Sequence, residues 1–301
     1  FGPTVLNLAG VDIPKPIDGR PFLGKGAVTR DFTFGYADRF DEKYDLVRWV
    51  RKGRFSYQRN YQPFNFDSLQ NDYRYRQLAY REWRQLYRAG RLNAAQRQFF
   101  EPRAAEALYD IEADPHEVNN LAGDPRHAAT LAEMRTLLHA QVTRINDLSF
   151  FPEPYMVAEA MENPAAFGSG NAARIARLAD IADLQLVEFS KAKGGIESAL
   201  QSKDPWARYW GCIAASAHGQ APQDLADLVE ILALDDPEPL VRCRAAEFLG
   251  LTGNVDPRPI IKAALKMSKS EVATNLILNT AVLLHEGKKG IKFNDLTSDD
   301  V

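Results

Sequence analysis

The sequence predicts an α+β unit, a small antiparallel sheet packed with helices, followed by an all-α short solenoid of stacked helical repeats. Three observations carry this expectation. Runs rich in Phe, Tyr, Val and Trp are confined to residues 32–60 and 107–111. Stretches with apolar residues at three- and four-residue steps lie between and after them. Beyond Pro154, glycines recur 34 residues apart.

Taken in order, Pro3-Thr4-Val5-Leu6-Asn7-Leu8-Ala9-Gly10 has a proline near a helix start, apolar residues at helical spacing and a closing glycine, so it reads as one short helix. Val11 to Pro21 holds three prolines and the Asp18-Gly19 step, which forbid continuous helix and favour turns. Phe32 to Tyr36, Leu46 to Val50 and Phe55 to Asn60 read as strands. Gly53 supplies the positive φ for a hairpin at Arg51-Lys52-Gly53-Arg54. A fourth strand is expected at Ala107 to Ile111, between Glu106 and Asp114-Pro115.

Tyr73 to Phe100 reads as a long amphipathic helix carrying Leu78, Trp83, Leu86 and Tyr87, with Leu92 to Phe100 continuing as a second helix after Gly90. Arg126 to Asn146 places Leu131, Met134, Leu138 and Val142 on one stripe, a helix able to cover the sheet. After the joint Phe150-Phe151-Pro152-Glu153-Pro154 the composition shifts to Ala and Leu and strand-like alternation ends. Gly219, Gly253 and Gly287 keep the 34-residue step, and so do Pro205 with Pro239 and Arg208 with Arg242. These units resemble HEAT-type repeats, each burying its apolar face only against a neighbour. The third unit, Ser270 to Gly287, lacks the Pro and the Arg. The expected divisions are 1–30, 31–149 and 150–301.

A chain of 301 residues, 45% hydrophobic and 26% charged, is long enough for a sizeable core and for more than one domain. It opens on Phe1-Gly2-Pro3-Thr4, and neither a signal peptide nor a membrane span is read in it. Cys212 and Cys243 sit in helical stretches, which argues against a disulfide framework. The net charge of −3 argues against a general nucleic-acid or membrane-surface binder. The charge is uneven: Arg30 to Arg103 holds 16 Lys and Arg against 9 Asp and Glu, a balance of +7 that leaves −10 elsewhere. Such a run is either a solvated face or an attractor of an anionic substrate.

Three islands resemble the bacterial members of the formylglycine-dependent sulfatases of the alkaline-phosphatase superfamily. They are Pro3 to Val11 with Asp18-Gly19-Arg20-Pro21-Phe22-Leu23; Asp38-Arg39-Phe40-Asp41-Glu42-Lys43-Tyr44-Asp45 running into Val47 to Tyr57; and Ala107-Leu108-Tyr109-Asp110-Ile111-Glu112-Ala113-Asp114-Pro115-His116-Glu117-Val118-Asn119-Asn120-Leu121-Ala122. The resemblance runs from about Phe1 to Asn146. It implies that 1–30 ends a catalytic domain, that 31–149 is the family's C-terminal subdomain, and that the parent protein hydrolyses sulfate esters or sulfamates, on carbohydrates. It also implies a formylglycine made from a Cys-x-Pro-x-Arg segment, a calcium ion and, for such an enzyme, a periplasmic or extracellular place.

None of that apparatus is in this sequence. Ile213-Ala214-Ala215-Ser216 follows Cys212 and Arg244-Ala245-Ala246-Glu247 follows Cys243, and no Ser or Thr fits the frame either. No catalytic residue and no metal ligand is assigned here, and this portion alone is expected to be inactive. The family's C-terminal sheet borders the active-site mouth, which makes Arg39, Asp41, Tyr44 and Arg48 the candidate substrate-binding residues. Arg can grip a carboxylate or sulfate with two N–H groups and Asp can accept from sugar hydroxyls. The same residues would equally form an ion-paired strand edge.

His116, His127, His139, His218 and His285 show no zinc-site spacing, and no Gly-rich phosphate loop occurs. The partners that the resemblance implies are a sulfated carbohydrate or other anionic small substrate and the missing catalytic domain, and the repeats add a possible second copy. Neither nucleic acid nor a membrane is expected. A reading from a different class keeps the chain as a non-catalytic interaction module that presents a helical-repeat surface.

Overall fold

The protein is described by a computed structural model over residues 1–15, 17, 19–253, 255–294, 296 and 297. Pro16 and the Asp18 of the Asp18-Gly19 step lie outside the described residues. Helix α1 (Gly2–Leu8) forms where the proline and apolar spacing place it, and Gly10, at φ +70°, turns the chain away. The segment after it folds back. Asn7 Nδ2 donates to the Leu23 carbonyl at 2.7 Å, Phe22 N–H donates to Thr4 Oγ1 at 3.2 Å, and the Phe1 and Phe22 rings meet edge to face. This arm adds nothing to the main apolar core, and Phe1, Val5, Leu8, Val11, Phe22 and Leu23 are exposed.

Strands β1 (Thr33–Phe40), β2 (Lys43–Lys52), β3 (Phe55–Asn60) and β4 (Glu106–Asp110) form one antiparallel sheet in chain order. Gly53 turns β2 into β3 at φ +56°, as expected. β1 and β2 extend past their aromatic runs and meet at Asp41-Glu42. Their mostly charged ends, Asp38 to Asp45, hid that hairpin from a pattern of hydrophobicity. The turn closes because Asp41 takes φ +56° and Arg39 Nη1 donates to the Asp41 and Glu42 carbonyls, both at 3.3 Å. Between Ala37 and Arg39 the register slips by one residue, the extra residue lying on β2. Tyr36 therefore faces Arg48 across the strands, and Arg39 faces Tyr44.

The long amphipathic helix expected from Tyr73 is broken. It forms as the single turn α2 (Asp72–Tyr75), capped by the Asn71 side chain, and then α3 (Leu78–Arg88), because Gln77 is extended at ψ 129°. Arg74 of α2 lies over the rings of Phe40, Tyr80 and Phe99, and donates to the Asp67 carbonyl. After Gly90 the next helix is short, α4 (Ala94–Arg97). The capping box of Asn93 and Gln96 starts it late, and a 3-10 turn to Phe100 ends it.

α5 (Ala128–Arg144) covers the sheet. Its Leu131, Met134, Leu138 and Val142 are buried in one cluster with Val50, Tyr57 and Leu108 of the strands. Each such side chain contributes about 1.5–3 kcal/mol by leaving water.

Among the described residues nine α-helices follow: α6 (Glu153–Glu159), α7 (Pro164–Gly170), α8 (Ala172–Asp183), α9 (Phe189–Leu200), α10 (Pro205–Ala217), α11 (Ala226–Asp235), α12 (Pro239–Thr252), α13 (Arg258–Met267) and α14 (Glu271–Glu286). α8, α10, α12 and α14 pack side by side in that order. α9 lies against α8 and α10, α11 against α12, and α13 against α12 and α14. Gly219 and Gly253 take positive φ after α10 and α12, whereas Gly287 after α14 does not. Arg208 grips Asp236 through Nε at 2.6 Å and Nη2 at 2.9 Å, and Arg174 grips Asp204 in the same way at 2.8 and 2.6 Å. Most buried apolar side chains of sheet and helices form one continuous cluster, from Tyr44 of β2 to Phe293, and Phe66, Leu69 and Leu283 form a smaller one.

Candidate functional site

The four candidate side chains all lie on the β1–β2 hairpin, but the structure gives them different surroundings. Arg39 is half-buried. Its Nε donates to Glu153 Oε1 of α6 at 3.1 Å, its Nη2 pairs with Glu153 Oε2, and its guanidinium lies 5.8 Å from the Tyr44 ring centre. Asp41 stands exposed at the turn, and among the described residues its carboxylate has no partner. Tyr44 is buried, and burial pushes its hydroxyl well above the usual phenol range. Its backbone N–H donates to Asn279 Oδ1 of α14 at 2.7 Å, while Asn279 Nδ2 donates to the Glu42 carbonyl at 2.8 Å. One side chain of α14 thus bonds both the turn residue Glu42 and Tyr44 of β2.

Arg48, only 2% exposed, is the most enclosed of the four. Nε donates to Asp147 Oδ2 at 2.6 Å, Nη2 to Asp147 Oδ1 at 3.0 Å, and Nη1 to Asp38 Oδ1 at 2.6 Å and the Val47 carbonyl at 2.9 Å. Four hydrogen bonds to a five-donor group leave it almost saturated. Burial disfavours its charge, but the two carboxylates outweigh burial and hold it protonated above the usual range. Asp38 Oδ2 also accepts from Ser149 Oγ at 3.1 Å, and Asp147 Oδ1 accepts from Ser149 N–H at 3.1 Å.

Beside this pair lies a groove of about 440 Å³. It is lined on the sheet side by Phe34, Tyr36, Asp38 and Arg48, and on the other by the turn Ile145–Ser149 and the start of α7. Asn146 takes φ +51° in that turn. Sequence reasoning singled out Arg48 and passed over Tyr36, Asp38, Asn146, Asp147 and Ser149. Asp38 opens the sulfatase-like stretch Asp38 to Asp45, but nothing local in the sequence says that residues 145–149 return to β1.

Two further clusters tie the sheet down. Burial would raise the Asp45 carboxyl, yet Arg103, donating from both terminal nitrogens at 2.8 Å, holds it below the usual range. Arg59 of β3 donates to Asp183 at 3.2 Å and to the Ala105 and Ala182 carbonyls at 2.9 Å each. For Asp183, burial is again outweighed, by the hydrogen bond from His139 and the charge of Arg59, and its carboxyl lies low.

Among the described residues, no group of three or more His, Cys, Asp or Glu side chains is disposed to hold a metal ion. Cys212 and Cys243 are free and buried, and burial pushes the Cys243 thiol up to about 12, far from a reactive thiolate. Neither cysteine stands in the Cys-x-Pro-x-Arg frame of a formylglycine precursor. Among the described residues no helix is long and apolar enough to cross a membrane.

No family model matches the chain. Over 159 residues it is 36% identical to an ulvan-active sulfatase of Formosa agariphila, an alignment covering 52% of this chain and 27% of that protein. The aligned stretch is thus about a quarter of the relative's length. This similarity supports a relationship to the sulfatases, and the α+β architecture with its four-stranded antiparallel sheet is compatible with a sulfatase C-terminal subdomain.

Proposed function

We propose that this chain is the C-terminal part of a sulfatase that hydrolyses sulfate esters or sulfamates on a carbohydrate, with its nucleophile and metal in a portion that precedes Phe1. The observation that carries this reading is the 36% identity to a sulfatase over 159 residues. In this reading 1–30 ends the catalytic domain, 31–149 is the C-terminal subdomain and 150–301 is a HEAT-like brace. Formylglycine and calcium belong to the missing part, no chemical step runs through residues of this chain, and the protein works in the periplasm or outside the cell. The exposed apolar side chains of the α1 arm support the reading, because they are of the kind a catalytic domain would cover.

The β1–β2 hairpin then borders the substrate path. Asp41, with its unpartnered carboxylate, contacts sugar hydroxyls directly, while Arg39, Tyr44 and Arg48 hold the hairpin in place through Glu153, Asn279 and Asp147. The test is the coding DNA upstream of the Phe1 codon, translated in frame. A reading frame with Cys-x-Pro-x-Arg or Ser-x-Pro-x-Arg agrees with it. A frame without either motif contradicts it and leaves a helical-repeat interaction module.

A further inference from the structure

Arg48 was a candidate for gripping an anionic group, but the groove beside it carries a net negative lining. We infer that it is a subsite for an uncharged sugar ring, with Tyr36 as the platform on which the ring lies. The inference deepens the proposed function and rests on it for the class of ligand.

Tyr36 is 70% exposed, a large aromatic on the sheet face whose neighbours Arg48 and Val50 are buried. A pyranose has an apolar face of C–H groups rimmed by hydroxyls, and a flat ring with a polar end matches both. Phe34, two residues earlier on the same face, extends the floor. The rim is made of acceptors. Asp38 and Ser149 each keep lone pairs beyond the bonds that they make with Arg48 and with each other. The Asn146 amide, which has no hydrogen-bond partner among the described residues, offers both donor and acceptor. Hydroxyl donors meeting a carboxylate form charge-assisted hydrogen bonds.

The charges lining the groove are those of Asp38, Asp147 and Arg48, which sum to −1. The single guanidinium is already committed to the two carboxylates and a carbonyl. A sulfate or uronate placed here would face net repulsion, with a single N–H of the committed guanidinium left to meet it. The volume of about 440 Å³ lies within the range of about 300–1,000 Å³ usual for small-ligand clefts. The groove thus recognises an unsulfated residue of a partly sulfated chain.

The experiment is binding of the full chain to an array of matched oligosaccharides, each present unsulfated and sulfated, followed by calorimetry on the best unsulfated binder. The expected result is retention of unsulfated glycans with weaker binding of their sulfated partners. Tyr36→Ala should weaken binding about tenfold and Tyr36→Trp should restore it, since tenfold is the scale of one aromatic contact. Asn146→Gly keeps the left-handed backbone and removes the amide, and should also weaken binding. Equal or better binding of the sulfated partners, unchanged binding by a folded Tyr36→Ala protein, or no retained unsulfated glycan would overturn the inference. Sulfate release by the complete protein is assayed separately. Release without glycan binding rejects only the groove, and glycan binding without release rejects only the sulfatase reading.

Discussion

Asn279 and Tyr44, 235 residues apart in sequence, are joined by a 2.7 Å hydrogen bond from the Tyr44 backbone to the Asn279 side chain, and the same amide returns a bond to the Glu42 carbonyl. A side chain of the last helix thus completes the hydrogen bonding of a strand near the start of the sheet. Asn279→Ala would leave a buried N–H and a carbonyl unpaired, at a cost of about 1–3 kcal/mol. The midpoint of urea unfolding should fall accordingly. An unchanged midpoint would mean that water replaces the amide and the helix does not hold the hairpin.

Arg48 and Asp147 form a pair whose loss should cost more. Removing the guanidinium by Arg48→Ala leaves Asp147 buried without its partner, which typically costs about 3–5 kcal/mol. The double replacement Arg48→Met with Asp147→Leu should recover much of that, because the buried carboxylate leaves with the guanidinium and only the more exposed Asp38 loses a partner. If the double variant is as unstable as the single one, the groove wall depends on packing and not on the ion pair.

His139 gives a pH dependence with a defined sign. Its hydrogen bond from Nδ1 to Asp183, at 3.0 Å, raises its proton affinity against the opposing effect of burial. A histidine whose folded pKa is raised stabilises most below its unfolded value of about 6.5, and that contribution fades as pH climbs through the folded value. The Tm difference between wild type and His139→Gln should be largest near pH 5.5 and shrink towards pH 8. A difference that grows with pH would reverse the assignment.

Cys212 and Cys243 are buried in α10 and α12. With their thiols raised by burial, neither should react with a disulfide reagent such as DTNB in the native protein, and both should react on unfolding. Rapid native labelling of either would place it at a surface, against the packing of those helices.

Much of the fold was legible because burial writes a period into the sequence. The α5 stripe of Leu131, Met134, Leu138 and Val142 was read at its true positions, as were β3 and the turn at Gly53. The units read from the 34-residue step fall on α10, α12 and α14. Arg174 also stands 34 residues before Arg208 and grips a carboxylate, that of Asp204, but Asn171 stands where Pro205 and Pro239 stand, so the sequence pattern did not reach it.

The β1–β2 hairpin was missed because its ends are charged, and charge there is satisfied by distant groups such as Glu153 and Asn279 that no local pattern announces. The groove was illegible for the same reason. Tyr36 and Asn146 meet only through the tertiary fold.

The central claim is tested most directly by sulfate release. The complete protein encoded by the reading frame that contains this chain, purified and incubated with sulfated polysaccharides, should liberate inorganic sulfate, and Phe1–Val301 alone should liberate none. Release by the isolated chain, or none by the complete protein on any sulfated glycan, would contradict the account.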